Sequence, residues 1–134
     1  MATRTECYVD TSALIAFLDR SDSYHHLFRR LFSKPPALVT SALVVAEGHG
    51  WFLRRYDPQR AVQFLAFLDS LPMLKVLSFG KEEISSTARL VKKYADQKLT
   101  LADSHGLVIM HERRIANCWS TDRHLGLGGA ILVL

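Results

Sequence analysis

Four acidic residues, Asp10, Glu47, Asp103 and Asp122, have surroundings typical of a shared metal-binding site. Asp10 follows an apolar run that is typical of a strand, and Asp122 lies shortly after another. Carboxylates that meet at one point repel each other, and their pKa values rise unless a cation holds them together. Carboxylate and water ligands select hard divalent cations, so the expected cofactor is Mg²⁺ or Mn²⁺.

The chemistry expected of such a site is hydrolysis at phosphorus. A bound divalent cation activates water for attack and stabilises the leaving oxygen. The sequence lacks the Cys and His spacing of a zinc site. It also lacks a Gly-rich phosphate loop and the nucleophile elbow of serine hydrolases. Metal-assisted hydrolysis is therefore the favoured chemistry if the four acids converge.

Three of the four acids also have a purely structural explanation. Asp10 could cap a helix, and Asp122 could belong to a turn. Asp103 fits a capping box with Thr100, which is the strongest of these explanations. Glu47 is the hardest to explain, because it lies on an otherwise apolar helix face. A carboxylate buried there has to be paired, hydrogen-bonded or metal-bound.

Glycines and histidines beside the acids leave further alternatives open. Gly48 and Gly50 each cost a helix interior about 1 kcal/mol relative to Ala. They indicate close approach of a backbone or ligand, or else loose packing against a neighbouring helix. His49, His105 and His124 each lie within two residues of an acid. A supporting or surface role is favoured over a general base, because a metal ion generates hydroxide unaided.

Short apolar strands alternate with helical segments along the chain. This alternation predicts an α/β fold, a three-layer α/β/α sandwich with a central parallel sheet of about five strands. Such sheets bind ligands at the carboxyl ends of their strands, so Asp10 and Asp122 are expected at one edge. The predicted strands cover 7–9, 37–40, 73–77, 116–120 and 130–133, and the predicted helices cover 13–18, about 27–32, 42–55, a segment between Pro58 and Pro72, 81–94 and 100–113.

The 134 residues fit a single domain over 1–134, with 49% hydrophobic and 22% charged residues. Cys7 and Cys118 are expected to be buried free thiols. No signal peptide and no membrane-spanning segment is indicated, which favours the cytoplasm. The net charge of +4 permits a polyanionic partner without requiring one, because the paired basic residues also suit solvated helix surfaces.

The motifs that contain the acids, taken in order, resemble the PIN domain, and most closely the VapC-type toxins of bacterial and archaeal toxin–antitoxin pairs. The resemblance covers nearly the whole chain, and it rests on the order and spacing of four motifs that are individually unspecific. They are Val9-Asp10-Thr11-Ser12, Thr40-Ser41 leading to Ala46-Glu47, Leu101-Ala102-Asp103, and Ser120-Thr121-Asp122-Arg123-His124.

The resemblance implies an endoribonuclease that depends on Mg²⁺ or Mn²⁺ and whose acidic quartet comprises the four acids named above. Thr11 or Ser12 would place a carboxylate or phosphate near the first helix N-terminus, and Thr121 would support the last acid. An RNA substrate, a homodimer and a small antitoxin that fills the acidic groove are also implied. Ser104 and Leu125 depart from the usual family pattern without touching the acids.

Two alternatives from other classes stay open at this stage. A signalling receiver domain is also a small α/β fold with acids at strand ends, but here the segment 77–79 after the third strand has no Asp. No Lys occurs after Lys98, where a receiver domain requires one. The other alternative is a PIN fold that processes or binds RNA outside a toxin pair. The presence of all four acids disfavours a protein that binds RNA without cutting it.

Overall fold

Helices and strands alternate along the computed structural model, which describes residues 5–133. Among these residues, no helix is long and apolar enough to cross a membrane. The elements are β1 (Glu6–Val9), α1 (Thr11–Leu18), α2 (His25–Leu31), β2 (Ala37–Ser41), α3 (Ala42–Arg55), α4 (Pro58–Asp69), β3 (Leu74–Leu77), α5 (Lys81–Lys93), α6 (Leu101–Glu112), β4 (Asn117–Trp119) and β5 (Ile131–Leu132), with 3₁₀ turns at Ala95–Gln97 and Arg123–Gly126.

The five strands form one parallel sheet in the order β3-β2-β1-β4-β5. The chain moves outward from β1 to β3, then returns to the other side of β1 for β4 and β5. The order therefore reverses between β1 and β4, and ligands bind at such a switch point in open α/β sheets. The signalling alternative is wrong, because receiver domains have the strand order 2-1-3-4-5.

The central strands are buried on both faces of the sheet. Tyr8 and Val9 are adjacent in β1 and fully buried, as are Leu38 and Val39 in β2. Successive side chains of a strand point to opposite faces, so both faces must be covered. The predicted sandwich with a central sheet of five parallel strands is confirmed.

The helices that carry candidate site residues begin where the sequence predicts. Ser41 caps α3, since its Oγ accepts the N–H of Leu43 at 3.0 Å. This cap follows β2 without a loop, so Glu47 lies less than two turns from the sheet edge. The capping box predicted for α6 also forms between Thr100 and Asp103. Local capping chemistry thus sets where two of the acids stand relative to the sheet.

Gly48 is explained by tight helix packing. A Cβ at this position would lie 2.2 Å from Cζ of Phe64, a fully buried ring on α4. The interpretation of loose packing is therefore wrong, and the close neighbour is an aromatic ring. The other predicted buried groups, Cys7 and Cys118, are buried and free.

We predict that Gly48→Ala lowers the free energy of unfolding by about 1–3 kcal/mol, the usual cost of overpacking. The matched control is Gly50→Ala, where the added Cβ meets only the flexible end of Arg54. This control should be neutral or stabilising by up to about 1 kcal/mol, because Ala is the better helix former. Urea denaturation measures the free energy of unfolding of both variants. Equal values for Gly48→Ala and Gly50→Ala would contradict the packing explanation.

Candidate active site

All four acids line one cavity of about 260 Å³ at the carboxyl ends of β1 and β4. Asp10 follows β1 directly, and Asp122 follows β4 by three residues, whereas Glu47 and Asp103 come from α3 and α6. Three larger cavities on the described part of the chain contain a single acid each. The charge of these acids, and not cavity size, distinguishes the site.

Asp10 is buried, with 5% of its surface exposed. Its side chain makes no capping hydrogen bond to α1, so the helix-cap explanation is wrong. Instead, Oδ2 accepts the hydroxyls of Ser12 at 2.9 Å and Ser120 at 3.0 Å. Burial raises the pKa of Asp10 to about 6, and the two hydroxyls oppose the rise by stabilising the charged form.

The two serines tie the loop after β4 to Asp10. The Oγ of Ser12 accepts the N–H of Thr121 at 3.0 Å, and the Oγ of Ser120 accepts the N–H of Asp122 at 2.8 Å. Support for the last acid thus comes from the hydroxyl of Ser120, whereas Thr121 contributes its backbone N–H. Sequence reasoning missed Ser120, although its only signal, a polar residue closing an apolar strand next to an acid, was visible.

Glu47 reaches the cavity for a different reason than the sequence indicates. Its carboxylate is exposed, so the argument from burial on an apolar face is wrong. Oε1 accepts the hydroxyl of Thr11 at 2.5 Å, which links α3 to the first residue of α1. Thr11 therefore places a carboxylate near the start of α1, one of the two alternatives that the sequence leaves open.

Asp103 has both a structural and a site position. Oδ2 accepts the N–H of Thr100 at 3.2 Å, while the Oγ1 of Thr100 accepts the N–H of Asp103 at 3.1 Å. The capping box is thus real. Asp103 is only 8% exposed and still lines the acidic cavity. Helix capping fixes the carboxylate where it faces the other acids.

His124 stands beside the last acid. The Oδ1 of Asp122 accepts the N–H of His124 at 2.9 Å, and His124 Nδ1 lies 3.2 Å from the same oxygen. One ligand atom each from Asp103, Asp122 and His124 lie within 4.8 Å of one another. Two carboxylates and an imidazole at this spacing suit a divalent cation, and Asp10 and Glu47 line the cavity together with the two aspartates.

The other two histidines lie apart from the acids. His105 Nδ1 is 2.6 Å from the Oγ of Ser41, and its ring contacts Phe79 at 4.8 Å between centroids. Burial lowers the pKa of His105, which favours the neutral imidazole. His49 does not line the acidic cavity. Neither residue is placed as a general base at this site.

Comparison with known proteins agrees with the fold. The model of the PIN domain family matches residues 7–126. Ribonuclease VapC26 of Mycobacterium tuberculosis is 31% identical over 116 residues, which cover 86% of this chain and 85% of that protein. The crystal structure of VapC20 from Mycobacterium tuberculosis, a toxin that cleaves the sarcin–ricin loop, matches with a TM-score of 0.84.

The VapC20 match has 23% identity and covers 93% of this chain and 96% of that one. A toxin–antitoxin complex from Klebsiella pneumoniae matches with a TM-score of 0.62 and 18% identity, covering 96% of both chains. These two structures support the fold.

A parallel α/β sheet with an acidic cavity at its switch point defines the class, and the chain belongs to the PIN domain family. The resemblance predicted from the four motifs is confirmed.

The raised pKa of Asp10 predicts how the stability of the metal-free chain depends on pH. Its folded pKa is raised from 3.8 to about 6, so its contribution to stability is full below pH 3.8 and is lost as pH rises through 6. Asp10→Asn removes this titration. We expect the variant's stability advantage over the parent chain to grow by about 1 kcal/mol from pH 5 to pH 7.5, measured by urea denaturation in EDTA. A pH-independent difference would show that Asp10 titrates normally.

Proposed function

We propose that this chain is a single PIN domain over 1–134 that acts as a divalent-metal-dependent endoribonuclease and as the toxin of a toxin–antitoxin pair. The observation that carries the proposal is the convergence of four carboxylates on one cavity at the switch point of the sheet. The similarity to Ribonuclease VapC26 over most of both chains supports hydrolysis of RNA.

In this proposal Asp10, Asp103 and Asp122 bind the cation most directly, and Glu47 completes the site directly or through water. Carboxylate ligands suit Mg²⁺ or Mn²⁺. When bound, such a cation lowers the pKa of water and stabilises the departing oxygen of the phosphodiester. Burial raises the pKa of Asp10, and a cation held by this carboxylate would favour its charged form.

The other residues position the acids and the RNA. Ser12 and Ser120 hold Asp10 at its buried oxygen, which leaves its orientation fixed before RNA binds. Thr11 does the same for Glu47. His124 hydrogen-bonds with Asp122 and either orients this carboxylate or adds a nitrogen ligand. The start of α1 lies in the same cavity, and the N-terminus of a helix favours an anion such as phosphate.

We predict that Asp122→Asn lowers RNA cleavage by more than about 100-fold, because even residues that only support a metal ligand contribute about 10–100-fold. EDTA should abolish the activity of the parent chain, and Mg²⁺ or Mn²⁺ should restore it. The matched control, Asp69→Asn, changes an exposed acid on α4 outside the cavity and should cleave normally. Cleavage of a labelled RNA measures all of these activities, and full activity of Asp122→Asn would rule out the site.

The proposed partners are a small antitoxin that fills the acidic cavity and a second copy of the chain in a homodimer. The resemblance to VapC-type toxins and the structural similarity to a toxin–antitoxin complex support the antitoxin. The homodimer rests on the resemblance alone, and sedimentation of the purified chain tests it. An RNA-processing enzyme outside a toxin pair is the alternative.

Expression in bacteria separates the toxin from this alternative. We expect the parent chain to arrest growth and Asp10→Asn to leave growth normal at equal protein levels. Co-expression of the neighbouring open reading frame should restore growth. An active nuclease in vitro that causes no arrest would favour the RNA-processing alternative.

A further inference from the structure

Trp51 is the aromatic residue that lines the acidic cavity, and it lies on the same helix as Glu47. Glu47, Trp51 and Arg54 are spaced at i, i+4 and i+7 on α3, and all three line the cavity. Residues at this spacing share one face of a helix. At 1.5 Å per residue they span about 10 Å along the axis. One helix face therefore presents an acid, an aromatic ring and a cation in order away from the sheet.

The indole of Trp51 has edge contacts with two neighbouring aromatic rings. Its ring contacts Phe52 at 4.9 Å and Tyr56 at 6.1 Å between centroids, with interplanar angles of 83° and 69°. Within residues 5–133, no aromatic ring stacks parallel on Trp51 and no guanidinium lies over it. Arg55 and Arg60 lie over Tyr56 instead. Trp51 is thus a half-buried ring that is anchored by edge contacts and has no stacked partner among the described residues.

Arg54 supplies a cation beside this ring. Its Nη1 lies where a side chain at Gly50 would stand, 2.9 Å from the position of a Cβ. The absence of a side chain at Gly50 lets the guanidinium fold along α3. In the part of the chain that the structure describes, Arg54 forms no salt bridge, although acids line the same cavity. Its charge is available to an anionic ligand.

We propose that Trp51 and Arg54 form a nucleotide subsite for unpaired RNA, an inference that rests on the proposed ribonuclease activity. With the scissile phosphate at the acids, the adjacent base stacks on Trp51 and the next phosphate pairs with Arg54. Aromatic side chains bind unpaired bases in this way with little sequence preference. Bases stacked within a duplex cannot reach the indole, so the subsite selects single-stranded segments.

Tryptophan fluorescence tests this subsite directly, because a base stacked on Trp51 should quench its emission. The probe is a single-stranded oligoadenylate of eight nucleotides, added to Asp10→Asn protein so that it is not cleaved. The second tryptophan, Trp119, is 4% exposed and serves as the internal unquenched signal. We expect saturable quenching by the single strand and little by a duplex of equal length. An independent method measures binding of the oligonucleotide. If binding is saturated and the emission of Trp51 is not quenched, the subsite is overturned.

Variants separate stacking from a structural role. We expect Trp51→Ala to weaken oligonucleotide binding by roughly 10- to 100-fold and Trp51→Phe to retain most of it while losing the quenching signal. Arg54→Gln should reduce the salt dependence of binding by about one charge. The matched control is Leu53→Ala, which alters an exposed residue of α3 outside the cavity and should bind normally.

Cleavage kinetics distinguish failure of the subsite from failure of the proposed activity. In the otherwise unchanged chain, Trp51→Ala should raise KM by about 10-fold or more, with a smaller change in kcat, and Trp51→Phe should restore KM. Unchanged KM and affinity in Trp51→Ala would reject the subsite while leaving the ribonuclease intact. If the parent chain cleaves no RNA in Mg²⁺ or Mn²⁺, the ribonuclease proposal fails, and fluorescence quenching still decides the subsite. If Trp51→Ala does not fold, loss of quenching with retained binding in Trp51→Phe is the deciding result.

Discussion

The confinement of the Asp10 carboxylate is the constraint on which the rest of the site depends. Asp10 directly follows β1, which is buried on both faces, and its carboxylate therefore lies in a poorly solvated position. Ser12 and Ser120 hold one of its oxygens. Their hydrogen bonds offset part of the free-energy cost of burying the charged carboxylate. The pKa of Asp10 stays raised because the hydrogen bonds do not offset the whole cost. A divalent cation is the natural partner for a carboxylate in this position.

The topology of the sheet brings the remaining groups to Asp10. Because β4 returns beside β1, the loop that carries Ser120 and Asp122 meets the start of α1. Because α3 follows β2 without a loop, Glu47 lies close to the same edge. The capping box of α6 adds Asp103. Glu47 and Asp103 thus stand on helices, whereas the loop with Asp122 is tied to Asp10 by the hydrogen bonds of Ser12 and Ser120.

The sequence predicts the element order, the parallel sheet and the four acids, because strand burial and helix capping are local signals. It predicts Glu47 for a wrong reason, since the exposure of a helix face depends on tertiary packing. The sequence shows Ser120 beside an acid, but its hydrogen bond to Asp10 could not be assigned from sequence alone, because this bond depends on β1 pairing with β4. Helix spacing alone places Trp51 on the same face as Glu47. That this face borders the acidic cavity is known only from the structure.

The central claim is that the four carboxylates form one divalent-cation site. A crystal of the chain grown with Mn²⁺ tests it most directly through the anomalous signal of the metal. We predict a Mn²⁺ peak in the cavity, in direct contact with carboxylate oxygens of Asp10, Asp103 and Asp122. A fully occupied Mn²⁺ site elsewhere, with this cavity holding only water at saturating Mn²⁺, would contradict the account.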